Sequence, residues 1–455
     1  MEISRRDVLA GAAAGAVMGA VGGAGRAFAA GTEAIAHGDR VLICNEDSST
    51  LTVIDPSRNS VAGTVNLTSF DEDPRPPFRF ATGGTIPTHA TMVTKPLYHG
   101  AINIHGGAPS PDQTMAAVTG RGSSNIYLID VKEMAAIGNG PNPQAGEKTL
   151  PTRLTSGVLV GREPHEPTWS RNGKEIWVAL RGESRIAIVD TELAKRESAG
   201  ESVRAVRGYV PTLLGPAQVW FSRDGAIAFV ISQKVPMIEV FETNIDAEGY
   251  SRPKRRAMLN IKDQDPFGFT PFQKVTPDGG EMWFSHKIGD GLSARGFDGG
   301  HELIDHVPLG EKARPNHVEF VENGNGKVVY ASLGRVDDDG PGGGASSRIA
   351  IIDRSAPAGR RKVVGHFFSH GRESHGIWTN PTHTLLYVAH EQDELPGTPN
   401  AGQTVCSTFD VSDPFGPRFI AQIPLGHLDL PSGRLRNKKS INLVYFRPGS
   451  PMHSG

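Results

Sequence analysis

Histidine is the residue through which this chain could do chemistry, with sixteen copies against two cysteines. His105, His165 and His375 each stand five residues before an equivalent turn residue (Ser110, Ser170, Asn380), and His317 is displaced by one from that position. His286 and His390 close two strand-like runs at a second equivalent position, and His427 lies in the stretch leading to the last such run. Imidazoles gathered on one point cannot all carry protons, so they favour a shared cation. A nitrogen-only ligand set suits copper or zinc better than magnesium or calcium. Taken singly, each histidine also has an ordinary reading, a ring hydrogen-bonded to neighbouring loops. Two near-copies add candidate catalytic groups: Gly161-Arg162-Glu163-Pro164-His165 and Gly371-Arg372-Glu373-Ser374-His375. Arg162 and Arg372 could hold an anion through paired N–H groups, while Glu163 and Glu373 could serve as base or as partner to a metal-bound imidazole. An Arg–Glu pair that only ties neighbouring elements together is an equal alternative. No C-x-x-C-H is present, which excludes covalent haem, and two cysteines cannot build a thiolate-rich metal site.

The elements that must position these residues come from a repeat. Runs such as Leu51-Thr-Val-Ile-Asp55, Ile126-Tyr-Leu-Ile-Asp130, Ile186-Ala-Ile-Val-Asp190 and Ile349-Ala-Ile-Ile-Asp353 recur. So do turns of the type Ser170-Arg-Asn-Gly173, Ser222-Arg-Asp-Gly225 and Thr276-Pro-Asp-Gly279. Alternating β-branched runs joined by Asx-Gly turns are hairpins. Six units begin near His105, His165, Pro216, Pro271, His317 and His375; a seventh is split, with 41–67 lacking a first strand that 440–449 supplies. The expected fold is therefore all-β: a seven-bladed β-propeller over 30–455, its ring closed by the C-terminal strand completing the N-terminal blade. In such a blade, the connections into strand one and from strand two to three share a face. The seven histidines are thus expected on one rim of the axial channel, with His89 and His99 in a loop entering the same face. The long segments 68–103, 335–347 and 391–402 are expected to crown it. Cys44 and Cys406 fall on neighbouring blades. They could pair across the seam or stand as two separate buried thiols.

These repeats resemble the YVTN, or YncE-like, propellers, through strands of the type Tyr387-Val388-Ala389 followed here by His390. The resemblance spans nearly the whole chain beyond residue 30. It implies the propeller fold and leaves open lactonases, redox enzymes and binding modules. A looser resemblance, carried by His105, His165, His317, His375 and His427, is to the His-lined copper propellers of nitrous oxide reductase and thiocyanate dehydrogenase. Here Ala217 and Pro271 stand where two blades would offer histidines, there is no doubled His-His, and no cupredoxin-type domain with paired cysteines. Nitrous oxide reduction is not expected.

Ser4-Arg5-Arg6-Asp7-Val8-Leu9, an Ala/Gly/Val run and Ala27-Phe28-Ala29 read as a twin-arginine signal peptide over 1–29, cleaved after Ala29. The mature protein is expected in the periplasm, with no membrane span. A net charge of −2 argues against a nucleic-acid surface. The functional expectation is a periplasmic, copper- or zinc-dependent redox enzyme acting on a small molecule or anion, with a periplasmic electron carrier as partner. The alternatives are a non-catalytic binding propeller and a metal-independent, lactonase-like hydrolase. The oligomeric state is not legible.

Overall fold

The computed structural model describes residues 35–67, 102–138, 157–430 and 433–452. The expected signal segment, His89, His99 and most of 68–103 lie outside the described residues. Seven antiparallel sheets form a ring, one per repeat. Blade III shows the plan: Pro164–Trp169, Glu175–Leu180, Arg185–Asp190 and Val206–Pro211 run from the axis outwards. The other inner strands are Ile104–Pro109 (blade II), Pro216–Phe221 (IV), Gln273–Val275 (V), Pro315–Asn323 (VI) and Arg372–Thr379 (VII).

Burial follows the radius. The inner strand of blade III is buried at every position, whereas the outer strand Lys254–Asn260 of blade IV is mostly exposed. Inner and middle strands are covered on both faces by adjacent blades; the middle ones, such as Glu175–Leu180 and Arg185–Asp190, read as near-continuous apolar runs, while the inner ones also bury polar side chains. The first turn of each hairpin is built by side chains. Ser170 Oγ donates to Asn172 Oδ1 at 2.8 Å, Ser222 Oγ to Asp224 Oδ1 at 2.6 Å and Thr276 Oγ1 to Asp278 Oδ1 at 2.6 Å. Gly173, Gly225 and Gly279 then take the left-handed conformation, φ +73°, +75° and +77°, that a side chain would disfavour.

Blade I contains Arg40–Asn45, Thr50–Asp55 and Ser60–Asn66, and its innermost strand is Ser440–Phe446 from the other end of the chain. Val41 pairs with Tyr445 and Ile43 with Leu443. Tyr445 Oη donates to Asp39 Oδ2 at 2.6 Å, and Arg447 bridges the same carboxylate at 2.7 Å. The chain is a seven-bladed β-propeller closed by its last strand. Cys44 and Cys406 are both buried and free, so they stand as separate thiols.

Candidate functional site at the axial mouth

Two features of the repeat aim side chains at the axis. Six inner strands carry a bulge at the same place, where two residues oppose one on the second strand; blade V's short strand is the exception. In blade II, His105 and Gly106 lie between the paired residues Ile104 and Gly107; in blade III, His165 and Glu166 occupy the gap. Asn316 and His317 fill it in blade VI, His375 and Gly376 in blade VII. A bulge re-aims a side chain that regular pleating would send between sheets. Hydroxyls from the preceding blade clamp the bulges: Thr119 Oγ1 donates to the His165 carbonyl at 2.7 Å, and Ser285 Oγ to that of Asn316 at 2.7 Å. At Gly106 the fit is closed, because a Cβ there would meet the His165 carbonyl oxygen at 2.3 Å and Glu166 Oε2 at 2.5 Å.

The second feature is a left-handed residue just before the bulge: Asn103, Glu163, Gly215, Arg314, Glu373 and Lys439, with φ between 52° and 69°. The carbonyls of five of them accept an N–H from the second strand's side of the same blade: from the residue that leaves that strand in four blades and from Gly334, within Gly326–Asp337, in blade VI. These pairs are Arg121→Asn103, Arg181→Glu163, Gln233→Gly215, Gly334→Arg314 and Glu46→Lys439, at 2.9–3.0 Å.

Of the histidines expected at the rim, four come together: His105, His165, His317 and His375, which are 7%, 5%, 3% and 9% exposed. His105 and His165 approach Nε2 to Nε2 at 3.1 Å. His317 and His375 meet with ring centres 5.0 Å apart, and His317 stacks on Phe272 at 3.9 Å. The carbonyl of Ala217 can only accept, so His165 Nδ1, 2.9 Å away, carries its proton and Nε2 presents a lone pair. Gln233 Nε2 lies 3.1 Å from that lone pair, its orientation set by Arg181 Nη1 donating to its Oε1 at 2.7 Å. His105 Nδ1 stands 3.4 Å from both Glu46 Oε1 and Arg121 Nη1. Among the described residues, His317 Nδ1 is buried without a hydrogen-bond partner, and His375 Nδ1 lies by the Ile441 carbonyl without a well-formed bond.

Burial, with Arg121 beside it, lowers His105 to about 3, and burial with Lys287 nearby does the same to His375. Burial likewise holds His165 and His317 well below the usual range. All four are neutral at neutral pH. Burial pushes the Glu166 carboxyl well above its ordinary range, and Asn442 Nδ2 donates to it at 3.0 Å. Burial also presses Glu46 upwards, but Lys439 at 2.6 Å and Arg121 at 2.8 Å outweigh it and hold it well below. His105, His165 and Glu166 each offer an atom within 4.8 Å of the others, a geometry that could hold a metal ion.

The remaining expected residues are placed elsewhere. His286 bonds Thr270 Oγ1 (3.1 Å) and Ser293 Oγ (2.8 Å), and His390 bonds the Val405 carbonyl (3.0 Å) and Ser369 Oγ (3.1 Å), each within its own part of the ring. His427 sits on the hairpin His427–Leu430/Gly433–Arg436, with Nε2 3.5 Å from Asp429. Glu163 reaches the mouth and bridges Arg121 (3.1 Å) and Arg181 (2.8 Å). Arg162 is exposed and its backbone N–H bonds Glu183 at 2.7 Å. Arg372 donates to the Asp393 carbonyl at 3.0 Å, and Glu373 accepts from Gln392 at 2.7 Å. The copies thus differ: Glu163 bridges two arginines, whereas Arg372 and Glu373, half-buried at the start of the inner strand Arg372–Thr379, bond a backbone carbonyl and an amide. The run at Asp337–Asp339 pairs with Arg348. The axis-facing Glu46, Arg121, Arg181, Gln233, Lys287 and Glu391 escape a histidine search. Their signal is the register: Glu46, Arg121, Arg181, Gln233 and Lys287 each follow the last residue of a second strand, and Glu391 stands one residue before the end of its own.

His286 and His390 supply a pH test. Burial lowers them to about 3 and about 4, against ~6.5 in an unfolded chain. Below ~6.5 the unfolded chain therefore binds more protons, so their contribution is complete above that pH and is lost as pH falls towards the folded values. By pH 5 each is expected to have cost about 2 kcal/mol. Melting temperature should fall between pH 7 and 5, and less steeply in His286→Gln/His390→Gln. Equal slopes in the two proteins would refute this.

No protein-family model matches the chain, and no curated protein matches its sequence. Solved structures do match. A functionally unknown protein from Desulfotomaculum acetoxidans superposes with TM-score 0.56 at 9% identity, over 90% of this chain and 99% of that one. Hydrazine synthase from Kuenenia stuttgartiensis gives 0.54 at 13%, over 80% and 99%. A periplasmic gluconolactonase from Pseudomonas aeruginosa gives 0.50 at 12%, over 90% and 99%. At these identities the likeness is one of fold. Among the described residues, no helix is long and apolar enough to cross a membrane.

Proposed function

We propose that the axial mouth is a metal centre and that the protein is a metal-dependent enzyme acting there on a small molecule. The observation that carries this is the 3.1 Å approach of two buried, neutral imidazole nitrogens beside the Glu166 carboxyl. Two nitrogens each ~2.0–2.1 Å from one ion stand ~2.9 Å apart at a right angle and ~3.3 Å apart in a tetrahedron. The observed separation lies between these limits. The rings need lose no proton to bind, and a carbonyl already orients His165, as outer partners do around metal ligands. Copper or zinc fits the donor set, with His317 and His375 close by. Bound there, copper would supply electron transfer and zinc a Lewis acid. Glu163, Arg121 and Arg181 would fix the rings' surroundings, and Glu46 would balance charge. Redox chemistry would require a periplasmic electron carrier. The twin-arginine signal, periplasmic location and YncE-like ancestry belong to the same reading.

Elemental analysis of protein purified after native export should return stoichiometric copper or zinc. His105→Ala/His165→Ala should lose affinity beyond the 10–100-fold that outer partners are worth, with its melting otherwise retained. No stoichiometric metal after export and reconstitution would overturn the proposal. A second reading, a metal-independent hydrolase, draws on the Glu166 carboxyl, pushed up by burial beside neutral imidazoles, and on the fold shared with a gluconolactonase. Activity surviving exhaustive chelation would favour it.

A further inference from the structure

His165 is gripped at both ring nitrogens by blade IV. Its Nδ1 donates to the Ala217 carbonyl at 2.9 Å, and Gln233 Nε2 stands 3.1 Å from its Nε2. Arg181 Nη1, which can only donate, lies 2.7 Å from the other end of that amide, so the oxygen faces Arg181 and the NH2 group faces His165. Arg181 is itself tied to Glu163 at 2.8 Å. The Gln233 backbone is fixed as well, its N–H donating to the Gly215 carbonyl at 3.0 Å. Turning the amide over would set its NH2 group against the Arg181 guanidinium, so the buried donor is latched onto the His165 lone pair. Among Glu46, Arg121, Arg181, Gln233 and Lys287, which share this register in their blades, Gln233 is the uncharged one.

That bond matters because of what faces it. His105 Nε2 lies 3.1 Å from the same nitrogen of His165. His105 Nδ1 is 3.4 Å from Glu46, whose carboxylate, paired with Lys439 and Arg121, can only accept. Arg121 Nη1, equally near that ring nitrogen, already donates to Glu46 at 2.8 Å. With its proton on Nδ1, His105 also presents a lone pair at Nε2, so two lone pairs meet across the gap. Gln233 supplies the N–H that one of them accepts. A neutral imidazole nitrogen has one in-plane lone pair, which serves a donor or a metal ion and not both. We propose that Gln233 is a displaceable cap on His165: its amide holds the lone pair of the empty site, and an ion that binds His165 must break that bond. This rests on the proposed metal centre for the ion, and not for the amide bond. The cap lowers affinity by its own worth, which for a net hydrogen bond is about three- to tenfold in a binding constant.

Two measurements on the chelated full chain test it: calorimetric titration with zinc against a competing chelator, and the NMR signal of His165 Nε2 in isotope-labelled protein. Gln233→Leu, similar in size but without the N–H, is expected to bind zinc about three- to tenfold more tightly and to shift the His165 signal before any metal is added. Gln233→Glu keeps an acceptor for Arg181 without the N–H, and should also bind zinc more tightly than the parent. Circular dichroism melts should show both variants folded like the parent. A side chain that only packs would, on removal, weaken binding or leave it unchanged. Equal or weaker zinc binding in both variants would therefore overturn the cap and leave the metal centre standing. An unmoved His165 signal in Gln233→Leu would overturn the cap as well. Zinc bound by neither the parent nor the variants, with the signal moved, would sink the metal centre and leave the amide bond to His165 standing.

Discussion

A chain ending at Pro424 is expected not to fold into a six-bladed ring with a spare edge, but to lose cooperative unfolding altogether. Ile441, Leu443, Val444, Tyr445 and Phe446 are all nearly or fully buried. At roughly 1.5–3 kcal/mol for each large apolar side chain, their removal forfeits roughly 8–15 kcal/mol. That matches the whole stability of an ordinary domain, about 5–15 kcal/mol. The loss falls on three blades, because Ser440–Phe446 contacts the inner strands of blades II and VII besides pairing with Arg40–Asn45. It also bares a strand edge of the kind that recruits other chains. Thermal melts and size-exclusion chromatography decide the matter. A monomer with a single transition within a few degrees of the parent would show the closing strand to be dispensable.

The second large effect is predicted at Lys274, which is fully buried, pairs with fully buried Glu319 at 2.7 Å and lies 3.5 Å from the centre of the Trp378 ring. Lys274→Met takes the ammonium from a carboxylate that cannot reach water, and such losses run to about 3–5 kcal/mol. Replacing both, as Lys274→Met/Glu319→Leu, should recover most of that, since a packed apolar pair avoids desolvating two ions. Urea denaturation of both variants is the measurement. A double variant as unstable as the single one would mean that the pair stabilises through its charge rather than merely tolerating it.

The blades were legible because hairpin chemistry is local: Ser170-Arg-Asn-Gly173 and its copies carry their own hydrogen bonds wherever they sit. The closing strand was legible because Ile441–Phe446 has the inner-strand pattern and blade I lacked one. The outer strands were not. Lys254–Asn260 alternates weakly and faces water, so little in its composition constrains it. The site was half legible. Sorting histidines by repeat position brought out His105, His165, His317 and His375, but the same sorting led one residue astray at the second-strand ends. Side chains alternate along a strand, so if Lys287 and Glu391 face the axis, His286 and His390 must face the neighbouring sheet. Arg162 and Arg372 misled for another reason. Each precedes a left-handed residue, and that turn sends the arginine away from the axis as it brings the glutamate nearer.

That ring of left-handed residues bears on how such a protein can diversify. Asparagine, glutamate, glycine, arginine and lysine all occupy the same backbone state in different blades. The cost of that state for a non-glycine residue, of order 1 kcal/mol, has already been met by the scaffold. Exchanging one occupant for another alters the charge and reach presented at the mouth while leaving the hydrogen-bonded frame untouched. Selection, or a designer with a saturation library, can therefore retune what enters the mouth one blade at a time, without refolding the ring.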